Sequence, residues 1–209
     1  MPGNGATLPE DRRVALIAAA ISSDESRRPV VAAAAADEDP RIRQLAVRAG
    51  ARRGWMDDDA WRAALTDPDP TVRRETATQL ARGGAPALHA ELTNLLVDAD
   101  PLVAEAAAYA LGERSDSRAV PALIDMASHH DDARCREAAV AALGNIGDDR
   151  GRTALIGALS DKAPVRRRAV VALANFEGDD VDAALALAAD DRDWQVRAAV
   201  DLLGREPDD

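Results

Sequence analysis

One arrangement of apolar and polar positions returns six times along the chain. An acidic turn leads into a single apolar anchor, and the anchors are Ile42, Val72, Val103, Cys135, Val165 and Val196. Successive anchors are 30, 31, 32, 30 and 31 residues apart. With the anchor counted as position 0, positions 4, 5 and 8 read Thr76, Ala77 and Leu80, then Ala107, Ala108 and Leu111, then Ala139, Val140 and Leu143, then Ala169, Val170 and Leu173. This spacing is the buried stripe of an amphipathic helix. A fixed period of this size predicts stacked helical hairpins, none of which hides its apolar side alone.

We denote the helix before each acidic turn A and the one after it B. The pattern predicts A helices over 27–36, 56–66, 85–97, 117–129, 149–160 and 179–189. It predicts B helices over 39–53, 69–82, 100–113, 132–146, 162–176 and 192–204. A further helix precedes them, with Val14, Ile17, Ala18 and Ile21 at helical spacing. Asp39, Asp69 and Asp100 each stand before a proline, an N-cap followed by proline at the first helical position. Gly54, Gly83, Gly84, Gly147 and Gly178 fall near B-helix ends, where left-handed caps are common. The expected fold is all-α, a right-handed α–α superhelix of six A–B pairs plus the N-terminal helix. Residues 9–205 form one solenoid, with flexible tails at 1–8 and 206–209.

Composition agrees with thin layers between closely spaced helices. Alanine fills close to a quarter of the positions and aromatics only 2%. The net charge of −11 argues against general binding to phosphate backbones. The basic side chains are arginines except Lys162, and arginine suits planar, bidentate contact with carboxylates. Cys135 occupies an anchor position, so it reads as a small buried hydrophobe, and one cysteine excludes an internal disulfide. No apolar run approaches a membrane span, and the first residues lack the order of a signal peptide, so a cytoplasmic protein is expected.

The phrases HDDARCREAAVAALG (His130 to Gly144) and DADPLVAEAAAYALG (Asp98 to Gly112) resemble the HEAT-like repeat, particularly the short class also found in phycobilisome lyases. The resemblance covers about residues 27–204. It implies a ladder between the turn aspartate and the arginine after the anchor, and the matching residues are Asp37 with Arg43, Asp67 with Arg73, Asp161 with Arg166 and Asp191 with Arg197. Ala104 interrupts the ladder and His130 takes an aspartate place, which suggests a local change of twist between 98 and 136.

The resemblance also implies that the B helices line a concave groove. Positions 2, 6 and 10, opposite the buried stripe, then face it: Gln44, Arg48 and Arg52; Arg74, Thr78 and Arg82; Glu105, Tyr109 and Glu113; Glu137, Ala141 and Asn145; Arg167, Val171 and Asn175. That surface runs from basic to acidic and back, a zoning suited to orienting a charged partner. Tyr109, the only tyrosine, sits centrally as a candidate anchor. The tryptophans Trp55, Trp61 and Trp194 read as core or capping residues, with Trp194 placed to cover the end of the stack. His129, His130, Asp131 and Asp132 are too close in sequence to converge well on one ion, so no metal site is expected. His89 reads as an isolated surface histidine.

The sequence contains no nucleophile elbow, phosphate loop, H-E-x-x-H or paired-cysteine motif. The expected function is a non-catalytic scaffold that holds a protein or peptide segment, without a cofactor. Two alternatives rest on the resemblance alone, a chromophore-handling factor similar to phycobilin lyases and a nucleic-acid-binding relative of HEAT-like glycosylases.

Overall fold

A computed structural model describes residues 9–22, 24–83 and 86–204. The tails expected at 1–8 and 206–209, and Gly84, lie outside these residues. Among them are thirteen α-helices. The odd-numbered ones are α1 (Pro9–Ile21), α3 (Pro40–Arg53), α5 (Pro70–Leu80), α7 (Pro101–Glu113), α9 (Ala133–Ile146), α11 (Ala163–Leu173) and α13 (Trp194–Leu203). The even-numbered ones are α2 (Arg28–Ala34), α4 (Asp58–Leu65), α6 (His89–Asn94), α8 (Val120–His129), α10 (Arg152–Ala158) and α12 (Asp179–Ala188). The B helices expected from the pattern are α3 to α13 by odd numbers, and the A helices are the even-numbered set.

The caps form as the sequence implies. Asp39, Asp69 and Asp100 accept the backbone N–H of Arg41, Thr71 and Leu102 at 2.9, 2.8 and 2.8 Å. Gly54 and Gly147 close α3 and α9 at φ 66°, a conformation that an L side chain resists. Gly178, expected near a B-helix end, instead stands at the N-cap of α12, several residues beyond the end of α11.

The A helices are shorter than expected. The segments that begin α2, α8 and α10 open as single 3₁₀ turns, Glu25–Arg27, Ser117–Ala119 and Asp149–Gly151. Asp24, Asp116 and Asp148 cap these turns through the amide two residues on, which tightens the chain before the α-helix starts. The predicted helix over 85–97 is α-helical only across His89–Asn94, with 3₁₀ turns on both sides.

The helices group into two compact units, Met1–Glu91 and Leu92–Asp209, with the boundary inside α6. In the first, α1 packs on α3 and α3 on α5, while α2 and α4 each pack on the following B helix. In the second, α7, α9, α11 and α13 pack in series, and α8, α10 and α12 each pack on the next B helix. The stripe at positions 4, 5 and 8 is buried as predicted, with Thr76, Ala77, Leu80, Ala107, Ala108, Leu111, Ala139, Val140, Ala169, Val170 and Leu173 among the most enclosed residues. The shifted last copy is looser, and Leu203 remains 39% exposed.

Helix α1 behaves as one more B helix. Arg12 reaches Asp37, 25 residues on, close to the 24 or 25 residues of the other arginine–aspartate pairs described below. Leu16 and Ala19 supply its buried stripe.

In the second unit the Ala-Leu-Gly end of one B helix lies directly on the alanine of the next. A Cβ placed on Gly112 would meet Ala142 Cα at 2.8 Å, and one on Gly144 would meet Ala172 Cβ at 2.6 Å. In both cases the neighbour's Cα stands at 2.8 Å, so neither neighbour yields easily. The same contact spans α7–α9 and α9–α11, so the expected change of twist leaves no mark on how closely these helices approach. Gly144→Ala is expected to lower stability by about 1–3 kcal/mol through overpacking. Gly157→Ala, where nothing lies within 4 Å, should raise it by about 0.5–1 kcal/mol through helix propensity. Urea unfolding of the two variants beside the parent checks both signs.

Candidate functional site

The acidic turns hold the B helices in register through arginine. Arg43 donates from Nε and Nη2 to both carboxylate oxygens of Asp67 at 2.7 Å each, and its Nη1 donates to the carbonyls of Asp37 and Glu38 at 2.9 and 3.2 Å. Arg136 grips Asp161 at 2.6 and 2.7 Å and its own turn at the His130 carbonyl, 2.7 Å. Arg166, almost fully buried, grips Asp191 at 2.8 and 2.7 Å and the Asp161 carbonyl at 2.8 Å. Each guanidinium thus spends its planar fork on one carboxylate and its remaining nitrogen on a backbone turn.

This corrects the expected pairing. The arginine of a turn meets the backbone carbonyl at that turn's aspartate, as Arg43, Arg73, Arg166 and Arg197 do at Asp37, Asp67, Asp161 and Asp191. For Arg43, Arg136 and Arg166 the carboxylate partner belongs to the next turn, 24 or 25 residues on. The Arg136 fork holds the Asp161 carboxyl below its ordinary range, and the Arg166 fork does the same for Asp191.

The interruption has a local solution. In intact turns the aspartate accepts an amide two residues on, as Asp67 does from Asp69 at 2.8 Å and Asp191 from Asp193 at 2.7 Å. At the altered turn His130 Nδ1 accepts the Asp132 amide at 3.1 Å. His130 Nδ1 thus stands in the place of the carboxylate oxygen as turn acceptor. Ala104, where an arginine would stand, is fully enclosed. The missing arginine and the missing aspartate fall in the same step of the ladder.

The predicted B-face residues all lie on the unburied side of their helices. Arg48, Arg74, Arg82, Tyr109, Glu113, Asn145 and Asn175 are exposed, and Thr78, Glu105, Glu137 and Arg167 are partly so. Several already have intramolecular work. Arg48 donates to Glu75 at 3.0 and 2.5 Å, and Gln44 and Gln79 donate to the same carboxylate at 3.2 and 2.7 Å. Thr78 Oγ1 donates to the Arg74 carbonyl at 2.9 Å. Arg82 reaches Gln79 at 3.4 Å, Arg167 reaches Gln195 at 3.2 Å, and Asn145 reaches Glu113 at 3.5 Å. Asn175 donates across to the Gly144 carbonyl at 2.9 Å, and Glu137 lies 3.6 Å from Arg168. Tyr109 remains 52% exposed on α7, one helical turn from both Glu105 and Glu113.

Glu75 was not anticipated. It sits beside the buried stripe, 7% exposed, and ties α3 to α5. Burial pushes its carboxyl up, but the hydrogen bonds from Arg48, Gln79 and Gln44 outweigh burial and leave it below the ordinary value. The available signal was a glutamate and glutamine four residues apart, with Arg48 27 residues before Glu75.

The remaining candidates separate. His129 pairs with Asp125 at 3.0 Å, away from the turn that His130 serves. Among the described residues no group of His, Cys, Asp and Glu is arranged to hold a metal ion. Cys135 is enclosed and donates to the Pro101 carbonyl at 3.2 Å, and burial pushes its thiol up to about 11. Trp55 and Trp61 are buried, but Trp194 is 66% exposed, so it does not close the last helix pair as expected. Among the described residues no helix is long and apolar enough to cross a membrane.

Two outcomes follow for these contacts. Replacing Arg166 by Ala leaves Asp191 without its fork and is expected to cost about 2–3 kcal/mol in urea unfolding. Glu75, with its folded pKa below 4.5, contributes stability that is complete above 4.5 and is lost as the pH falls through the folded value. Glu75→Gln should therefore cost about 1–3 kcal/mol at pH 7. It should also lose less stability than the parent between pH 4.5 and pH 3, read by the same melts.

The family model described as HEAT repeats matches residues 58–144 and 123–204. No curated protein matches the sequence. Among solved structures, the E. coli protein YibA is similar at 20% identity and a TM-score of 0.71, over 97% of this chain and 79% of YibA. An engineered protein is similar at 21% identity and 0.61, over 84% of this chain and 96% of its own. A designed armadillo repeat protein in complex with the peptide (KR)4 is similar at 16% identity and 0.57, over 92% and 98%. At these identities the likeness establishes the fold alone.

Proposed function

This chain belongs to the HEAT repeat family, and from that premise we propose that it is a non-catalytic scaffold whose B-helix faces hold a segment of another protein. In the second unit that segment carries lysine or arginine. The observation behind this reading is Tyr109, half exposed between Glu105 and Glu113 on a helix otherwise enclosed by alanine. A half-exposed phenol ring offers contact area at small entropic cost, and flanking carboxylates select cations. The adjoining α9 adds Glu137, and α11 adds Val171, 47% exposed. The similar designed armadillo protein that holds a (KR)4 peptide supports a basic segment as the occupant. The first unit has the opposite character, with Arg74 exposed on α5 and Arg82 exposed just beyond its end. The phycobilisome-lyase subclass rests on the repeat phrases alone, since the matching model is the general HEAT one.

Fluorescence anisotropy with a labelled (KR)4 peptide tests the reading. Binding is expected to weaken steeply with salt. It should fall at least about tenfold when Glu105 and Glu113 are changed to Arg and Tyr109 to Ala, with thermal unfolding little altered, since these side chains lie outside the buried stripe. Equal binding by the parent and the triple variant would overturn it.

A further inference from the structure

We propose that a cavity between α2 and α4 in the first unit binds a small, neutral, ring-sized molecule carrying one hydrogen-bond acceptor. The cavity measures about 240 Å³. Val31 of α2, Val47 and Gly50 of α3, Ala64 of α4, and the intervening Trp55 and Met56 line it.

It exists because the facing A helices present alanine to each other: Ala32 and Ala35 on one side, Ala60 and Ala63 on the other. In the second unit the corresponding helices, α8 and α10, pack together. Here a space remains between α2 and α4, and the indole and thioether border it. Met56 lies against Gly50, where a Cβ would meet its Sδ at 2.8 Å. Its unbranched side chain can shift at small cost to admit a ligand.

Two observations set the chemistry of the occupant. Trp55 is 8% exposed, and its buried indole N–H finds no acceptor among the described residues. A buried donor without a partner is unfavourable, and an acceptor on a ligand would satisfy it. The Arg53 guanidinium covers one face of the indole, 5.3 Å from the ring centroid, and the unpartnered N–H is the polar group that we assign to a guest. The charged pair that borders the cavity, Arg43 and Asp67, is closed on itself by the bidentate fork. The exposed Arg28 and Asp57 balance each other in sign. No uncompensated charge faces the space, which favours a neutral guest. The space opens to solvent along Ala32, Ala35 and Ala63, and its volume has room for a substituted benzene or a fused bicycle.

The test uses the intact chain labelled with ¹⁵N, acetophenone as the acceptor-bearing probe, and ethylbenzene as its counterpart without an acceptor. The indole N–H signals of Trp55, Trp61 and Trp194 are followed in two-dimensional NMR, with Trp55 assigned by Trp55→Phe. Acetophenone is expected to move the Trp55 signal downfield and saturably, to leave Trp194 unmoved, and to bind about fivefold more tightly than ethylbenzene. Ala63→Leu, at an exposed position of α4, should fill the space and abolish the shift, and Ala32→Leu from the opposite helix should do the same. A shift that does not saturate, one that survives both leucine variants, or ethylbenzene binding as tightly as acetophenone would overturn the proposal. The peptide reading of the B-helix face stands or falls separately, because none of these residues lies on that face.

Discussion

The arginine fork between consecutive acidic turns is the contact on which the rest of the structure depends. A turn between two helices leaves carbonyls and amides with no helical partner. Here a guanidinium takes the carbonyls of its own turn, and the carboxylate it grips takes an amide of the next. One residue type thus satisfies backbone at two places and sets the distance between two repeats. Lysine, a point charge on a flexible stem, has no geometry for both duties. The near absence of lysine therefore has a structural use, whatever else shaped the composition.

With the turns held, the helices come close enough for alanine and glycine to form the layer between them. Gly112 on Ala142 and Gly144 on Ala172 bring glycine against the Cα and Cβ of an alanine. Larger residues would separate the helices and pull the forks out of reach. The small side chains and the bidentate ion pairs are thus one design, and each makes sense only with the other. Where the design is relaxed, the exceptions are paired. Ala104 and His130 depart from the arginine and aspartate of one ladder step together, and buried Glu75 is met by Arg48, Gln44 and Gln79 at once.

That economy separates two surfaces. The B-helix faces carry charge and one tyrosine, the surface on which the proposed binding of a protein segment rests. The A helices are short, α2, α6, α8 and α10 follow 3₁₀ turns, and in the first unit a cavity remains beside Trp55. The candidate binding face was legible because its residues follow from helical spacing alone. The cavity was not, since Ala32, Ala35, Ala60 and Ala63 read in sequence as good helix formers with nothing to distinguish touching from standing apart.

The sequence by itself determined the period, the alternation of two helices, the aspartate–proline starts, the glycine stops at Gly54 and Gly147, and the buried stripe at positions 4, 5 and 8. All of these depend on interactions within about two helical turns, where spacing is enough. Only the tertiary structure decided that Arg43 grips Asp67 and not its own turn's carboxylate, that Glu75 is buried, that Trp194 is bare, and that a space remains between α2 and α4. Those outcomes turn on how segments some 25 residues apart are placed against one another. A side chain that can reach two acceptors chooses between them by position, and position is settled by packing.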